Sequence, residues 1–145
     1  TSSSQFTRLA NVRNKIDTYR ENHYWESFKK TSDWNQLSAP WKYVCSYCLA
    51  VRRDNLLTVK MFRPEFCEYG FEDTELGYRL FQKEYRFYPE KSPVYHLYPE
   101  HRSWAVNFDE KQRFNSLTQS SRLFYSMHYD PSIFYELPAY FGEQI

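Results

Sequence analysis

Apolar positions along the chain recur at helical spacing in some stretches and run together or alternate in others. Leu9, Val12, Ile16 and Tyr19, behind a capping Ser4, predict a helix over residues 5–30. Residues 31–41 read as a loop. Tyr43 to Val51 is almost continuously apolar and predicts a strand buried on both faces. Asp54 is placed to cap a short helix through Leu57 and Val59, and Pro64 fixes a turn over Phe62–Phe66. From Glu72 a second amphipathic pattern begins: Leu76 and Leu80 share one face, Glu75 and Arg79 can pair on another, and the helix should end near Lys83. Tyr85–Tyr88 and Val94–Tyr98 read as short strands. Residues 107–128 read as a helix burying Phe114, Leu117, Leu123 and Phe124, followed by an aromatic, proline-bearing tail to Ile145 that wraps the domain or docks elsewhere. The pattern as a whole is α/β, with strands and flanking helices.

Composition sharpens this picture in a few places. The chain has 145 residues, enough for one domain with a core. Aromatic residues make up 21%, which suits either a core built on rings or clefts that stack on sugars or bases. A formal net charge of +1 lacks the basic excess of a general nucleic-acid binder. No stretch approaches the roughly 18 apolar residues that cross a bilayer, so no membrane span is expected. Three cysteines are an odd count, which argues against a disulfide framework and for a reducing, cytoplasmic setting. Cys45-Ser-Tyr-Cys48 lacks a second ligand pair for zinc, and within a strand its cysteines would point to opposite faces, so buried thiols are expected. The first residue is not Met, which suggests a processed chain or an excised fragment.

The densest chemistry lies in Glu68-Tyr-Gly-Phe-Glu-Asp-Thr-Glu-Leu-Gly-Tyr-Arg-Leu80. Gly70 leads to adjacent acids Glu72 and Asp73, with Asp73 as the expected N-cap of the following helix. An acidic helix start, favoured by the helix dipole, accounts for both on local grounds. The functional alternative is a general base with a neighbouring acid that anchors a hydroxyl, because adjacent carboxylates repel and raise one pKa. His96 sits among apolar residues, where a structural role and a metal-ligand role both remain open. Trp34 and Trp41 flank the loop, where either ring can stack on a sugar or enter the core.

Taken together, Pro40-Trp-Lys-Tyr43, Ala50-Val-Arg-Arg-Asp54, Phe62-Arg-Pro-Glu-Phe66, Tyr69-Gly-Phe-Glu-Asp-Thr-Glu-Leu-Gly-Tyr-Arg-Leu80 and Val94-Tyr-His96 form a pattern. It resembles the family-2-type, GT-A-fold glycosyltransferases, in particular their chondroitin polymerase and β-1,4-galactosyltransferase branch, over residues from about Ser38 to Arg102. The resemblance implies the C-terminal portion of a Rossmann-like fold, a mixed sheet with flanking helices. It implies inverting transfer of a sugar from a nucleotide-diphosphate donor to a glycan acceptor hydroxyl. Asp73 would be the base and Glu72 the acid that orients hydroxyls. His96 would be a ligand of a divalent metal, Mn or Mg, that neutralises the leaving diphosphate. Trp41, Tyr69, Gly70, Phe71 and Arg102 would stand at the substrates.

The chain departs from that family at named places. Phe71 occupies the position of a second glycine, and Tyr47-Cys48 that of a small pair; both crowd the donor pocket. The upstream nucleotide-binding half, with its Asp-x-Asp motif, has no counterpart here. The expected organisation is a helical lead-in over 1–37, a transferase half over 38–106, and a helix and tail over 107–145. The expected partners are the two sugar substrates and a missing N-terminal half or partner subunit, without which this chain alone has little or no activity. The alternative is a non-catalytic, transferase-derived module that binds glycan or protein.

Overall fold

Each expected strand among the described residues is replaced by 3-10 turns or irregular chain. The computed structural model describes residues 33–90 and 109–136, all within the unit Asp33–Ile145. In chain order these residues form 3-10 turns at Trp34–Gln36, Pro40–Tyr43 and Ser46–Cys48, then helices α1 (Arg53–Thr58), α2 (Glu72–Gln82), α3 (Glu110–His128) and α4 (Pro131–Glu136). There is no β-strand among the described residues, so the expected α/β class with a mixed, Rossmann-like sheet is corrected to a helical one.

The physical reasons are local. In Tyr43–Val51 the extended backbone of Val44 and Cys45 (Cys45 at φ −129°, ψ 121°) is separated from that of Leu49 (φ −128°, ψ 128°) by Ser46–Cys48, which closes into a 3-10 turn. Trp41 and Val44 turn inward, but Cys48, Leu49 and Ala50 are exposed, so the run is not buried on both faces. Tyr85–Tyr88 forms no strand, helix or turn. The side-chain amide of Asn35 takes the place of a neighbouring strand there: its Oδ1 accepts from the Phe87 N–H at 2.8 Å, and its Nδ2 donates to the Phe87 carbonyl at 3.0 Å. A single side chain thus satisfies both backbone groups that a partner strand would satisfy. The expected helix over 5–30 and the expected strand Val94–Tyr98 lie outside the described residues.

Helix α2 is the centre of the unit. Thr74 through Leu80 are all buried, with Leu76 wholly enclosed. The helix starts at Glu72 behind Phe71, which is the N-cap in place of the expected Asp73, and its C-cap is Lys83, where the pattern placed the end. Gly77 allows the close approach of α2 to the Pro40–Tyr43 turn. A Cβ there would lie 2.8 Å from the Trp41 carbonyl oxygen and 2.8 Å from Val44 Cγ2. Gly77→Ala is therefore expected to destabilise by about 1–3 kcal/mol through overpacking, less the roughly 1 kcal/mol that alanine gains in helix propensity. A urea midpoint above that of the parent protein would sink this account.

Helix α3 begins at Glu110 rather than 107. Asp109 and Gln112 form a reciprocal capping box: Asp109 Oδ1 accepts from the Gln112 N–H at 2.7 Å, and Gln112 Oε1 accepts from the Asp109 N–H at 3.1 Å. Leu117 and Phe124 are buried as expected, Leu123 is half-buried, and Phe114 faces solvent. Ala39, Trp41, Phe71, Tyr78, Leu117, Phe124 and Ile133 make one core cluster; Val59, Leu76 and Leu80 make a second beneath α1. No helix among the described residues is long and apolar enough to cross a membrane. Cys45 is half-exposed and Cys48 and Cys67 are exposed, which corrects the expectation of buried thiols.

Candidate functional site

The junction into α2 is built from backbone conformation. Gly70 has φ +102° and Phe71 φ +68°, so two successive left-handed residues swing the chain into the helix. Glycine takes such a conformation freely, whereas a bulky residue strains by about 1–3 kcal/mol. Phe71 offsets that strain by burying its ring in the core cluster. The same junction is stapled to α3. Ser116 Oγ accepts from the Tyr69 N–H at 2.8 Å and donates to the Tyr69 carbonyl at 3.0 Å. The guanidinium of Arg113 lies over the Tyr69 ring, 5.5 Å from its centre.

This geometry fixes the two acids differently. Asp73 Oδ2 accepts from the Ser46 N–H at 3.1 Å, and Oδ1 accepts from the Thr74 N–H at 2.8 Å. The carboxylate therefore bridges the start of α2 to the cysteine-bearing turn. Glu72 is half-buried, and its Oε2 is enclosed without a hydrogen-bond partner. Burial raises the Glu72 pKa above the ordinary glutamate value, and the charge of Asp73 adds to the rise, against the lowering effect of the Glu72 and Gly70 N–H groups. Repulsion between adjacent carboxylates thus contributes, but burial is the larger cause.

Of the other residues expected at the site, Tyr69 and Gly70 lie on the junction and are half-buried. Phe71 and Trp41 lie beneath it, 4% and 1% exposed, so both rings pack within the core. His96 and Arg102 lie outside the described residues. No three His, Cys, Asp or Glu side chains come together among the described residues, so this part of the site does not by itself fit a divalent metal.

Sequence reasoning found the Glu75–Arg79 pair but missed the rest of the ion cluster behind the junction. Glu75 is wholly enclosed and receives hydrogen bonds from Arg79 Nε at 2.8 and 2.9 Å and from Arg79 Nη2 at 2.8 Å. His128 Nε2 lies 2.9 Å from Glu75 Oε1, and Arg63 Nε lies 3.8 Å from the same oxygen. Arg79 also donates to the carbonyls of Val59 and Met61, on either side of Lys60, where Lys60 and Met61 are both left-handed. Burial acts to raise the Glu75 pKa, but the hydrogen bonds and charges of His128 and Arg79 outweigh it and leave the pKa lowered. The i,i+4 spacing of Glu75 and Arg79 signalled their pairing, but nothing local signalled His128. With no exposed surface, Glu75 has no access to a substrate and holds the fold.

Ser46 was also missed, since a backbone N–H carries no sequence signal. Next to α2, the Tyr78 hydroxyl donates to Asp130 Oδ2 at 2.6 Å, and burial followed by this bond pushes the Tyr78 pKa up to about 12.

No family model matches the chain, and no solved structure matches it. A stretch of 58 residues is 40% identical to the chondroitin synthase of Pasteurella multocida (strain Pm70), covering 40% of this chain and 6% of that protein. The chain thus carries a local likeness to a glycosyltransferase, limited to a small part of that enzyme's length.

Proposed function

We propose that the chain carries the acceptor side of an inverting glycosyltransferase, which moves a sugar from a nucleotide-diphosphate donor to a glycan hydroxyl. The observation that carries this reading is the Glu72–Asp73 pair at the head of α2, taken with the local likeness to chondroitin synthase. Asp73 takes the proton of the attacking hydroxyl. Its carboxylate is held in place by the Ser46 and Thr74 N–H groups, which fix its direction. Glu72, with its raised pKa and unpartnered oxygen, binds a neighbouring hydroxyl of the acceptor or donor. A divalent cation on the donor diphosphate belongs to this reading through His96. The described residues do not assemble a donor set for it on their own.

The test uses the full-length protein with nucleotide-sugar donors and measures product formation. Asp73→Asn is expected to lower kcat by at least about 100-fold, the scale of a lost general base. Glu72→Gln is expected to act more on the acceptor KM. An Asp73→Asn enzyme within about tenfold of the parent rate would refute the assignment.

A second reading, a transferase-derived module without catalysis, is favoured by one observation. Trp41 and Phe71, two rings expected at the sugars, are buried in the core. Glycan binding by the full-length protein, with no turnover on any nucleotide sugar, would decide for it.

A further inference from the structure

The turn that holds Asp73 also carries a cysteine pair. Cys45 is the N-cap of the Ser46–Cys48 turn, and the Cys48 N–H donates to the Cys45 carbonyl at 3.1 Å. A turn closed from the first to the fourth residue keeps its outer Cα atoms within about 7 Å. That span overlaps the roughly 4.4–6.8 Å that a disulfide bridges. Both residues are thiols, Cys48 exposed and Cys45 half-exposed. A strand would set the two side chains on opposite faces; the turn observed removes that obstacle. Between them, Ser46 gives its N–H to Asp73 Oδ2.

We propose that Cys45 and Cys48 form a reversible intramolecular disulfide, a redox site built into the turn that fixes the Asp73 carboxylate. The proposal stands on the turn and its thiols, and it does not depend on the transferase reading. Glutathione disulfide is a sufficient oxidant. The Cys48 thiolate, the more exposed of the two, attacks one sulfur of glutathione disulfide, breaks its S–S bond and releases one glutathione thiolate. The Cys45 thiolate then attacks the Cys48 sulfur of the mixed disulfide and expels the second glutathione. The two thiol protons end on the two glutathiones. The protein loses two electrons, and the oxidant gains them. The disulfide restrains the turn that presents the Ser46 N–H, so oxidation and the Asp73 hydrogen bond favour each other. By reciprocity, removal of the carboxylate weakens the disulfide.

The experiment equilibrates the full chain in glutathione buffers from reducing to oxidising, traps remaining thiols with an alkylating agent, and reads digested peptides by mass spectrometry. The expected result is a peptide containing Cys45 and Cys48 that is unalkylated and lighter by two hydrogens, while Cys67 is alkylated, with full reversal in dithiothreitol. Cys67→Ser should retain this product and Cys48→Ser should abolish it. Asp73→Ala should lower the oxidation equilibrium constant by about threefold or more, the scale of a charge-assisted hydrogen bond partly lost. Alkylation of both thiols in the oxidising buffer, a stable glutathione adduct at Cys48, or Cys67 in the main disulfide would overturn the proposal. An unchanged constant in Asp73→Ala would overturn the link to the carboxylate.

Discussion

Replacing Glu75 by Gln is expected to destabilise the unit by about 3–5 kcal/mol, the cost of breaking a buried ion pair by removing one partner. That is a large share of the roughly 5–15 kcal/mol that holds an ordinary domain folded. Gln keeps the shape and can still accept one hydrogen bond. It leaves the guanidinium of Arg79, 8% exposed, without its counter-charge. It also removes the charge that draws His128 and Arg63 to the same place. Because the folded pKa of Glu75 is lowered, its contribution is complete above the ordinary glutamate value of about 4.3. It is lost as pH falls through the lower folded value. Gln has no proton to gain there, so stability measured by urea unfolding should fall less steeply with acid in the variant than in the parent. Arg79→Met in the Glu75→Leu background should recover part of the loss, since an apolar replacement of both partners leaves no buried charge. A cost below about 1 kcal/mol at neutral pH, a quarter of the typical figure, would show that Arg79 finds other compensation in the Val59 and Met61 carbonyls.

The same residues show what the chain makes legible. Leu76 with Leu80 and Glu75 with Arg79 recur at the i,i+4 spacing that makes neighbours on one face of a helix, and α2 ends within two residues of Leu80. The capping box of α3 was readable in principle from Asp109 and Gln112, yet the apolar pattern alone set the start three residues early. The strands failed for a different reason. An apolar run states that side chains must leave water, but it does not name the backbone that will satisfy its N–H and C=O groups. At Phe87 that partner is the amide of Asn35, 52 positions away. At Cys45–Cys48 it is the turn itself.

At the candidate site the acids were visible from their types and their place at a helix start. Their settings were not. Asp73 is fixed by the backbone of Ser46, 27 positions earlier. The N-cap was misplaced because Phe71 adopts a left-handed conformation that favours glycine. The reason it does so is tertiary: the ring is buried among Trp41, Tyr78, Leu117 and Phe124.

Phe124→Ala is expected to cost about 3–5 kcal/mol, the range for removing a fully buried ring. Phe124 has no exposed surface and meets three rings edge-on or nearly so: Trp41 at 5.8 Å and 79°, Tyr78 at 5.5 Å and 73°, and His128 at 5.5 Å and 84°. Trp41 and Tyr78 are themselves perpendicular at 5.3 Å. Edge-to-face contacts of this kind add about 0.5–1.5 kcal/mol each beyond area burial. Phe124→Leu keeps most of the apolar volume but none of these contacts, so its cost should fall clearly below that of Ala without vanishing. Urea midpoints at constant slope measure both. The ring also braces His128, one helical turn further along α3, against which Glu75 is placed. Loosening Phe124 therefore releases part of what Glu75→Gln removes. The double variant Phe124→Leu/Glu75→Gln should cost less than the sum of the single variants by about 0.5–3 kcal/mol, the usual range for residues that share a partner. Strict additivity would mean that the aromatic core and the ion cluster are independent, and that His128 is held by Glu75 alone.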